Sequence, residues 1–411
     1  MSPTCLPSGR VAMVSEHAGP LAALGGPDAG GQNVYVAQLA RQLARRGHEV
    51  VVYTRRDSHR LPDRITTPDG FKVVHVPAGP PTPVPKDELL PHIPEFGRWL
   101  AREWEQWTPD VVHAHFWMSG MAALDGARAL GVPVVQTYHA LGTVKKRHQG
   151  AADTSPPDRI AIERAVGQEC GRIIATCRDE VRELEAMGLS RSTISVVPCG
   201  VDPRRFSQVR GARREPYAPR RLVTVGRLVP RKGFDRAIRA LAGVPDAELL
   251  IAGGPEPALL FAEPEAERLR AVAAECGVAD RVRLLGGVSR EQMPRLLSSA
   301  DLVLSLPRYE PFGIVPVEAM ACGTPVIATA VGGQLDTVMD GVTGVLVPPE
   351  EDHDISGTIR DLLDHPALLA RYGALGRRRV LAHYTWDTVA DGVSRVYGAV
   401  SSVPALSGVV R

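Results

Sequence analysis

Two glutamates eight positions apart, Glu310 and Glu318, stand in the stretch LPRYEPFGIVPVEAMACGTPVIATAVGG, residues 306–333. Glu310 falls on the loop after an apolar strand pattern, and Glu318 lies inside a helix expected to begin near Gly313. The first turn of a helix leaves backbone N–H groups unpaired and carries the positive end of the helix dipole. Gly313, Ile314 and Val315 therefore offer a seat for an anion or for sugar hydroxyls. Glu310 is spaced to accept hydrogen bonds from a sugar above that turn. Glu318, roughly two turns deeper, is spaced to bind a second polyol such as a ribose. The bland reading of the same residues is a capped helix with two solvated glutamates.

A second stretch, VGRLVPRKGFD, residues 225–235, puts Arg227 just after a strand and Lys232 at the opening of the next helix. Arginine offers a bidentate fork and lysine a compact charge, so the pair can neutralise two phosphate groups as charge builds on a leaving group. Taken alone, such a pair is more often structural. A third stretch, GGPDAGGQNVY, residues 25–35, lies between a strand pattern and a helix pattern. Glycines there permit a tight turn and the close approach of a ligand, with Gly30 and Gly31 presenting backbone N–H groups and Gln32 and Asn33 at the helix entrance. A dinucleotide site requires G-x-G-x-x-G and an acidic residue about twenty positions on, and this glycine spacing does not fit. His113 and His115 alternate to one side of a strand end, and His139 ends another. No acidic or cysteine ligand accompanies them at metal-binding spacing, so no metal is expected and satisfied hydrogen-bonding histidines are the plain alternative.

The elements that must position these residues are those of an α/β protein. Short runs rich in Val and Ile (VAMVS, EVVVYT, KVVHVP, DVVHAH, PVVQTYH, RIIATC, ISVVPCG) alternate with amphipathic segments, as in βαβ units around a parallel sheet. In the helix after the opening loop, Val36, Leu39, Ala40 and Leu43 recur at helical spacing and Gly47 sits where a C-terminal cap belongs. The basic, Pro-containing stretch 200–221 breaks the pattern. It resumes with LVTVG, ELLIAGG, RVRLLGG, DLVLSLP, PVIATA and GVLVPP, with one helix expected to open at Ser289 through a capping box to Gln292. At 411 residues the chain is too long for one core. The reading is two Rossmann-like α/β domains, 1–205 and 215–384, facing an interdomain cleft at the carboxyl ends of their strands, with 385–411 a C-terminal helix that crosses back to the first domain. A net charge of +2 from 48 basic and 46 acidic residues gives no general attraction to nucleic acid. Six cysteines without C-x-x-C pairs read as reduced thiols. With neither a signal-like amino terminus nor a transmembrane segment in view, a cytoplasmic protein is expected.

EPFGIVPVE resembles the E-x7-E signature of retaining glycosyltransferases of family four, enzymes of the GT-B fold, and the resemblance extends over nearly the whole chain. It implies that Glu310 contacts the donor sugar and Glu318 the nucleotide ribose. VGRLVPRKG is similar to that family's G-R-x5-K-G pattern, which implies that Arg227 and Lys232 hold the donor pyrophosphate. The GGQNVY loop resembles that of the sucrose-synthase-like and mycothiol-pathway branch, where it lies beneath the diphosphate, implying donor contacts for Gly30 and Gly31 and acceptor contacts for Gln32 and Asn33. His139 matches the histidine that reaches the transferred sugar, and His115 lines the same cleft. Lys86 and Arg159 resemble an acceptor-site lysine and arginine. The tyrosine and threonine that accompany those two in relatives with phosphorylated acceptors are replaced here by Phe116 and Ala140, which puts a phosphorylated acceptor in doubt. The base pocket is expected near Gly287 and Val288.

The expected activity is transfer of a hexosyl group, of glucose or N-acetylglucosamine type, from a nucleotide diphosphate sugar to an acceptor hydroxyl with retention. The donor is taken as UDP-linked, with a GDP- or ADP-linked donor as the alternative. No cofactor beyond this co-substrate is expected, a homodimer is left open, and a non-catalytic sugar-nucleotide-binding protein is the rival from another class. A glycosidase pair is not favoured, because Glu310 and Glu318 are assigned to different parts of one donor rather than to the flanks of one bond.

Overall fold

A computed structural model describes residues 8–22, 30–212, 218–350 and 354–401. Positions 25–29 of the glycine-rich loop and Cys5 lie outside the described residues. The chain divides into two compact units, Met1–Pro198 with Trp386–Arg411, and Cys199–Thr385.

Unit 1 is built on strands β1 Arg10–Val14, β2 Glu49–Arg55, β3 Arg64–Thr66, β4 Lys72–Val76, β5 Val111–His115, β6 Val134–Thr137, β7 Arg172–Ala175 and β8 Ile194–Val196. Its helices are α1 Gly31–Arg45, α2 Ile93–Gln106, α3 Trp117–Ala127, α4 Gly142–Gln149, α5 Arg159–Glu169 and α6 Arg178–Ala186. The strands lie in the order β3-β4-β2-β1-β5-β6-β7-β8, all parallel except the β3–β4 pair. Seven of these eight were legible as apolar runs. The eighth, β3, is a three-residue edge strand with an exposed-intermediate-exposed pattern, too short and too polar to announce itself. In α1 the predicted stripe Val36, Leu39, Ala40 and Leu43 is buried, and Gly47, at φ 89°, closes the helix with its N–H on Ala44 O.

Unit 2 holds β9 Arg220–Val225, β10 Ala247–Ala252, β11 Val282–Gly286, β12 Leu302–Ser305, β13 Val326–Thr329 and β14 Gly344–Val347. Between and after them run α7 Phe234–Ala242, α8 Pro264–Glu275, α9 Met293–Ser298, α10 Ile314–Ala321, α11 Gln334–Thr337, α12 Ile355–Leu363 and α13 Pro366–His383. The sheet is wholly parallel in the order β11-β10-β9-β12-β13-β14. Its two faces bury separate apolar clusters, one around Phe234, Ile238, Leu269 and Ile359, the other around Phe206, Val317, Met320 and Val380. Burial on both faces is why these strands read as near-continuous apolar runs. The last helix, α14 Trp386–Ser401, belongs to unit 1, where the Tyr397 hydroxyl lies 2.8 Å from His113 Nδ1.

In both units the strand order reverses direction beside the first strand, between β1 and β5 in unit 1 and between β9 and β12 in unit 2. In doubly wound sheets the loops leaving such a pair diverge to opposite faces and open a crevice at the carboxyl ends, where ligands bind. No helix among the described residues is long and apolar enough to cross a membrane.

Candidate active site

The charged residues singled out in unit 2 leave the strands of its reversal point. Arg227 lies two residues beyond β9 and is exposed. Lys232 ends a short 3-10 turn, Pro230–Lys232, instead of opening α7. Gly233 separates turn from helix at φ 69°, and a Cβ there would stand 1.9 Å from Leu306 O. The loop after β12 is joined to this turn by the Arg308 N–H, which donates to Arg231 O at 2.9 Å. Lys232 Nζ then meets Glu310 Oε2 at 2.5 Å, the carboxylate also accepting from the Gly313 N–H. Burial lowers the Lys232 pKa against the pull of Glu310, and the neighbouring charges of Arg231 and Arg227 lower it further. Burial also acts to raise the Glu310 pKa, but Lys232, Arg231 and the Gly313 N–H outweigh it and the net shift is downward.

Gly313, at φ 84°, caps α10, whose first residues Ile314 and Val315 follow it. The Glu310 loop is fixed from below by VGGQ, residues 331–334, whose part in the site the sequence did not disclose. Gly333 N donates to Glu310 O at 3.1 Å, and a Cβ on Gly332, at φ 50°, would stand 2.0 Å from that same oxygen. Glu318, on the buried side of α10, pairs with Arg290 Nη2 at 2.9 Å. Burial raises its pKa, with Arg290 acting in the opposite sense. The Arg290 guanidinium lies 5.0 Å from the Phe206 ring centroid. No spacing rule links Arg290 to Glu318, so it was missed. The helix expected to open at Ser289 starts four residues later, at Met293, with Pro294 in its first turn, and Ser289 Oγ accepts from Gln292 N in the turn ahead of it. Half-buried Val288 follows β11, where Gly287 N donates to Pro255 O.

In unit 1 the opening loop differs in part from expectation. The Gly30 N–H is spent on Asn33 Oδ1 at 2.9 Å, and Asn33 Nδ2 donates to Gly19 O at 3.0 Å. Buried Asn33 thus holds the loop with both ends of its amide, and the Gly30 N–H is engaged within that loop. Among the described residues, a Cβ on Gly30 or Gly31 would meet nothing within 4 Å. Gln32 Nε2 donates to Ser15 Oγ and His115 O, both at 3.2 Å.

The three histidines gather at the ends of β5 and β6. His115 Nδ1 lies 3.0 Å from His139 Nε2, and His113 bridges Tyr397 and Thr137 Oγ1, each at 2.8 Å. Burial drives all three pKa values down, to about 3 for His113 and His139, so they act as neutral hydrogen-bonding rings. Phe116 and His139 are the two non-glycine residues at positive φ, 82° and 61°, among the described residues. Such strain, about 1–3 kcal/mol each, is characteristic of functional sites. Lys86, on a 3-10 turn, has its ammonium 5.6 Å from the Phe116 ring centroid, and the Arg159 guanidinium lies 5.2 Å from it. Arg159 is buried and already committed, through Nε to Glu163, Nη1 to Ser155 and Nη2 to Ala140 O. It forms an internal ion pair with Glu163. A cavity of about 890 Å³ in unit 1 lies at the opposite, amino ends of β5 to β8, so volume alone does not mark the site.

Residues 29–205 match the family model Glycosyltransferase Family 4, and residues 207–379 match Glycosyl transferases group 1. The chain is 39% identical over 405 residues to the D-inositol 3-phosphate glycosyltransferase of Mycolicibacterium smegmatis, covering 96% of this chain and 92% of the relative. It is 37% identical over 413 residues to that of Acidothermus cellulolyticus, covering 94% and 90%. Among solved structures, sucrose-phosphate synthase from Thermosynechococcus elongatus superposes with a TM-score of 0.87 at 31% identity, covering 95% of this chain and 98% of that one. Anabaena HepE in complex with UDP and glucose shares the fold, with a TM-score of 0.73 at 18% identity over 96% and 100%. Two parallel-sheet α/β units with these neighbours define a glycosyltransferase of the GT-B fold. The chain belongs to glycosyltransferase family 4.

Proposed function

We propose that the enzyme moves a hexosyl group from a nucleotide diphosphate sugar, UDP-linked by resemblance, to a hydroxyl of a cyclitol or similar polyol, with retention of configuration. The observation that carries the donor half is the Lys232–Glu310 pair beside Gly313 at the reversal point of unit 2. There Lys232, Arg227 and the first N–H groups of α10 converge as diphosphate binders, and Glu310 accepts from the sugar. In the transfer the bond from the anomeric carbon to the diphosphate oxygen breaks and a bond to the acceptor oxygen forms on the same face, the acceptor proton passing to the departing diphosphate. Charge stabilisation by two side chains and a helix terminus takes the part that a metal plays elsewhere, so we expect chelation by EDTA to leave turnover unchanged.

The relatives named above act, by their names, on D-inositol 3-phosphate. Phe116 and Ala140 offer no side-chain hydroxyl to a phosphate and Arg159 is committed to Glu163, so we infer that the cyclitol is recognised mainly through its hydroxyls. Incubating the enzyme with UDP-, GDP- and ADP-sugars against myo-inositol, D-inositol 3-phosphate and hexoses, with products weighed by mass spectrometry, tests this reading. A glycosylated cyclitol is the expected product. Absence of any glycosylated polyol, with the protein folded, overturns it.

A further inference from the structure

The helix α11, Gln334–Thr337, is a single turn of four residues, too short to hold itself by its own backbone bonds. Its far end is clamped by α13 and the residue that follows it. Arg379 Nη2 and the Tyr384 hydroxyl both donate to Asp336 O, at 2.7 and 2.8 Å, and Arg379 Nε donates to Thr337 O at 3.2 Å. At its near end the Gln334 side chain is wholly buried and reaches the last residues of two neighbouring strands. Gln334 Nε2 donates to Ser305 Oγ at 2.5 Å, at the end of β12. Its Oε1 lies 3.3 Å from Thr329 Oγ1, at the end of β13, and that hydroxyl donates to Pro307 O at 2.7 Å.

Pro307 opens the loop that carries Glu310, and Gly313 closes it. A Cβ on Gly313 would stand 3.0 Å from Gln334 Cγ, so the same side chain packs against the left-handed residue that caps α10. One buried amide therefore governs both ends of the segment from Pro307 to Gly313, through Thr329 at the first and by packing at the second. An apolar residue of similar size would fill the same space, but it would leave the loop untied from the strands. Glu310 meets Lys232 only if that loop keeps its course, and a binding constellation holds its geometry through the buried polar groups behind it.

We propose that Gln334 is a positioning residue for the donor, acting through Glu310 by holding the loop from Pro307 to Gly313 in place before any ligand arrives. The inference rests on the donor reading above, and the two are tested so that they fail separately. The first measurement needs no ligand: backbone hydrogen exchange over residues 308–314 is followed by mass spectrometry in the wild type, Q334L, T329V and T329S. We expect exchange in this segment to rise about tenfold in Q334L, the size of one lost hydrogen bond, to rise likewise in T329V, and to stay at the wild-type rate in T329S, with the strands of unit 2 unchanged. Unaltered exchange over 308–314 in Q334L, or a rise spread evenly over unit 2, overturns the proposal. The second is calorimetric titration of UDP, GDP and ADP and of their glucose conjugates into the wild type, Q334L, E310Q and the double variant. For the base that the wild type prefers, we expect Q334L to weaken the sugar conjugate about fivefold or more and the bare diphosphate less than about twofold, and the Q334L effect to vanish in the E310Q background. Equal losses for conjugate and diphosphate, or a loss undiminished in E310Q, sinks the proposal while leaving the donor reading standing. A wild type that binds none of the conjugates overturns the donor reading instead, and the exchange result then decides alone whether Gln334 holds the loop.

Discussion

The two units share a strand order at their reversal points but equip it with opposite chemistry. Unit 2 places exposed or half-buried charge there, Arg227, Lys232 and Glu310, on loops whose positive-φ positions are all glycines. Unit 1 places neutral buried histidines and an aromatic ring there, on backbone forced to positive φ at Phe116 and His139, while its buried ions Arg159 and Glu163 are paired with each other. A donor that carries a diphosphate needs cations at its seat, where Lys232 is held by Glu310. An acceptor that presents hydroxyls needs oriented neutral partners, and charge near it is better neutralised internally.

The comparison breaks first if Arg159 is a substrate cation instead of an internal one. Arg159→Ala strands the Glu163 carboxylate, and removal of one partner of a buried pair costs about 3–5 kcal/mol, so denaturant unfolding should show a loss of that order. A stable variant with a large rise in acceptor KM would instead return Arg159 to the acceptor. Lys232→Ala should lower turnover by about 10²- to 10³-fold with the fold intact, as loss of one charge-stabilising donor does elsewhere. Near-normal turnover in that variant removes the donor half of the proposal.

The neutral histidines give a pH signature. His113 and His139 have folded-state pKa values near 3 against an ordinary 6.5. Between those limits the unfolded chain binds protons that the folded chain does not, so stability falls as pH drops below 6.5, by about 1.4 kcal/mol per pH unit for each ring. Unfolding titrations at pH 7, 6 and 5 should show the slope, and His113→Asn should remove one ring's share. A flat profile would mean that these rings are protonated in the folded protein. A smaller effect sharpens the acceptor side. Phe116→Tyr with Ala140→Thr restores two hydroxyls and should raise kcat/KM for D-inositol 3-phosphate relative to myo-inositol by about tenfold or more, since hydrogen bonds to charged groups contribute about 1.5–3 kcal/mol each. No change in that ratio would mean that the phosphate, where present, lies elsewhere.

Most of the fold was legible because buried parallel strands write themselves as Val- and Ile-rich runs; β3 escaped because a short edge strand has no such run. The pairs Glu310–Glu318 and Arg227–Lys232 could be picked out because each lies on one continuous segment with a fixed spacing; their assignment to a donor is the proposal above. Partners brought together from distant segments were not. Arg290 meets Glu318 across 28 positions, and Ser119 meets Glu16 across 103, distances at which spacing carries no signal. The part of Asn33 in holding its own loop was missed for a related reason: a polar residue at a helix entrance looks the same in sequence whatever it bonds.

The donor half stands most directly on calorimetric titration of UDP, GDP and ADP, each against its own nucleoside, into the wild type and Lys232→Ala. For the preferred base we expect the diphosphate to bind at least about 100-fold more tightly than the nucleoside, as charge-assisted contacts to two phosphates imply, and most of that gap to vanish in the variant. Equal affinities in the wild type, or a gap that survives loss of Lys232, would contradict the assignment of the Lys232 and α10 terminus as the diphosphate seat.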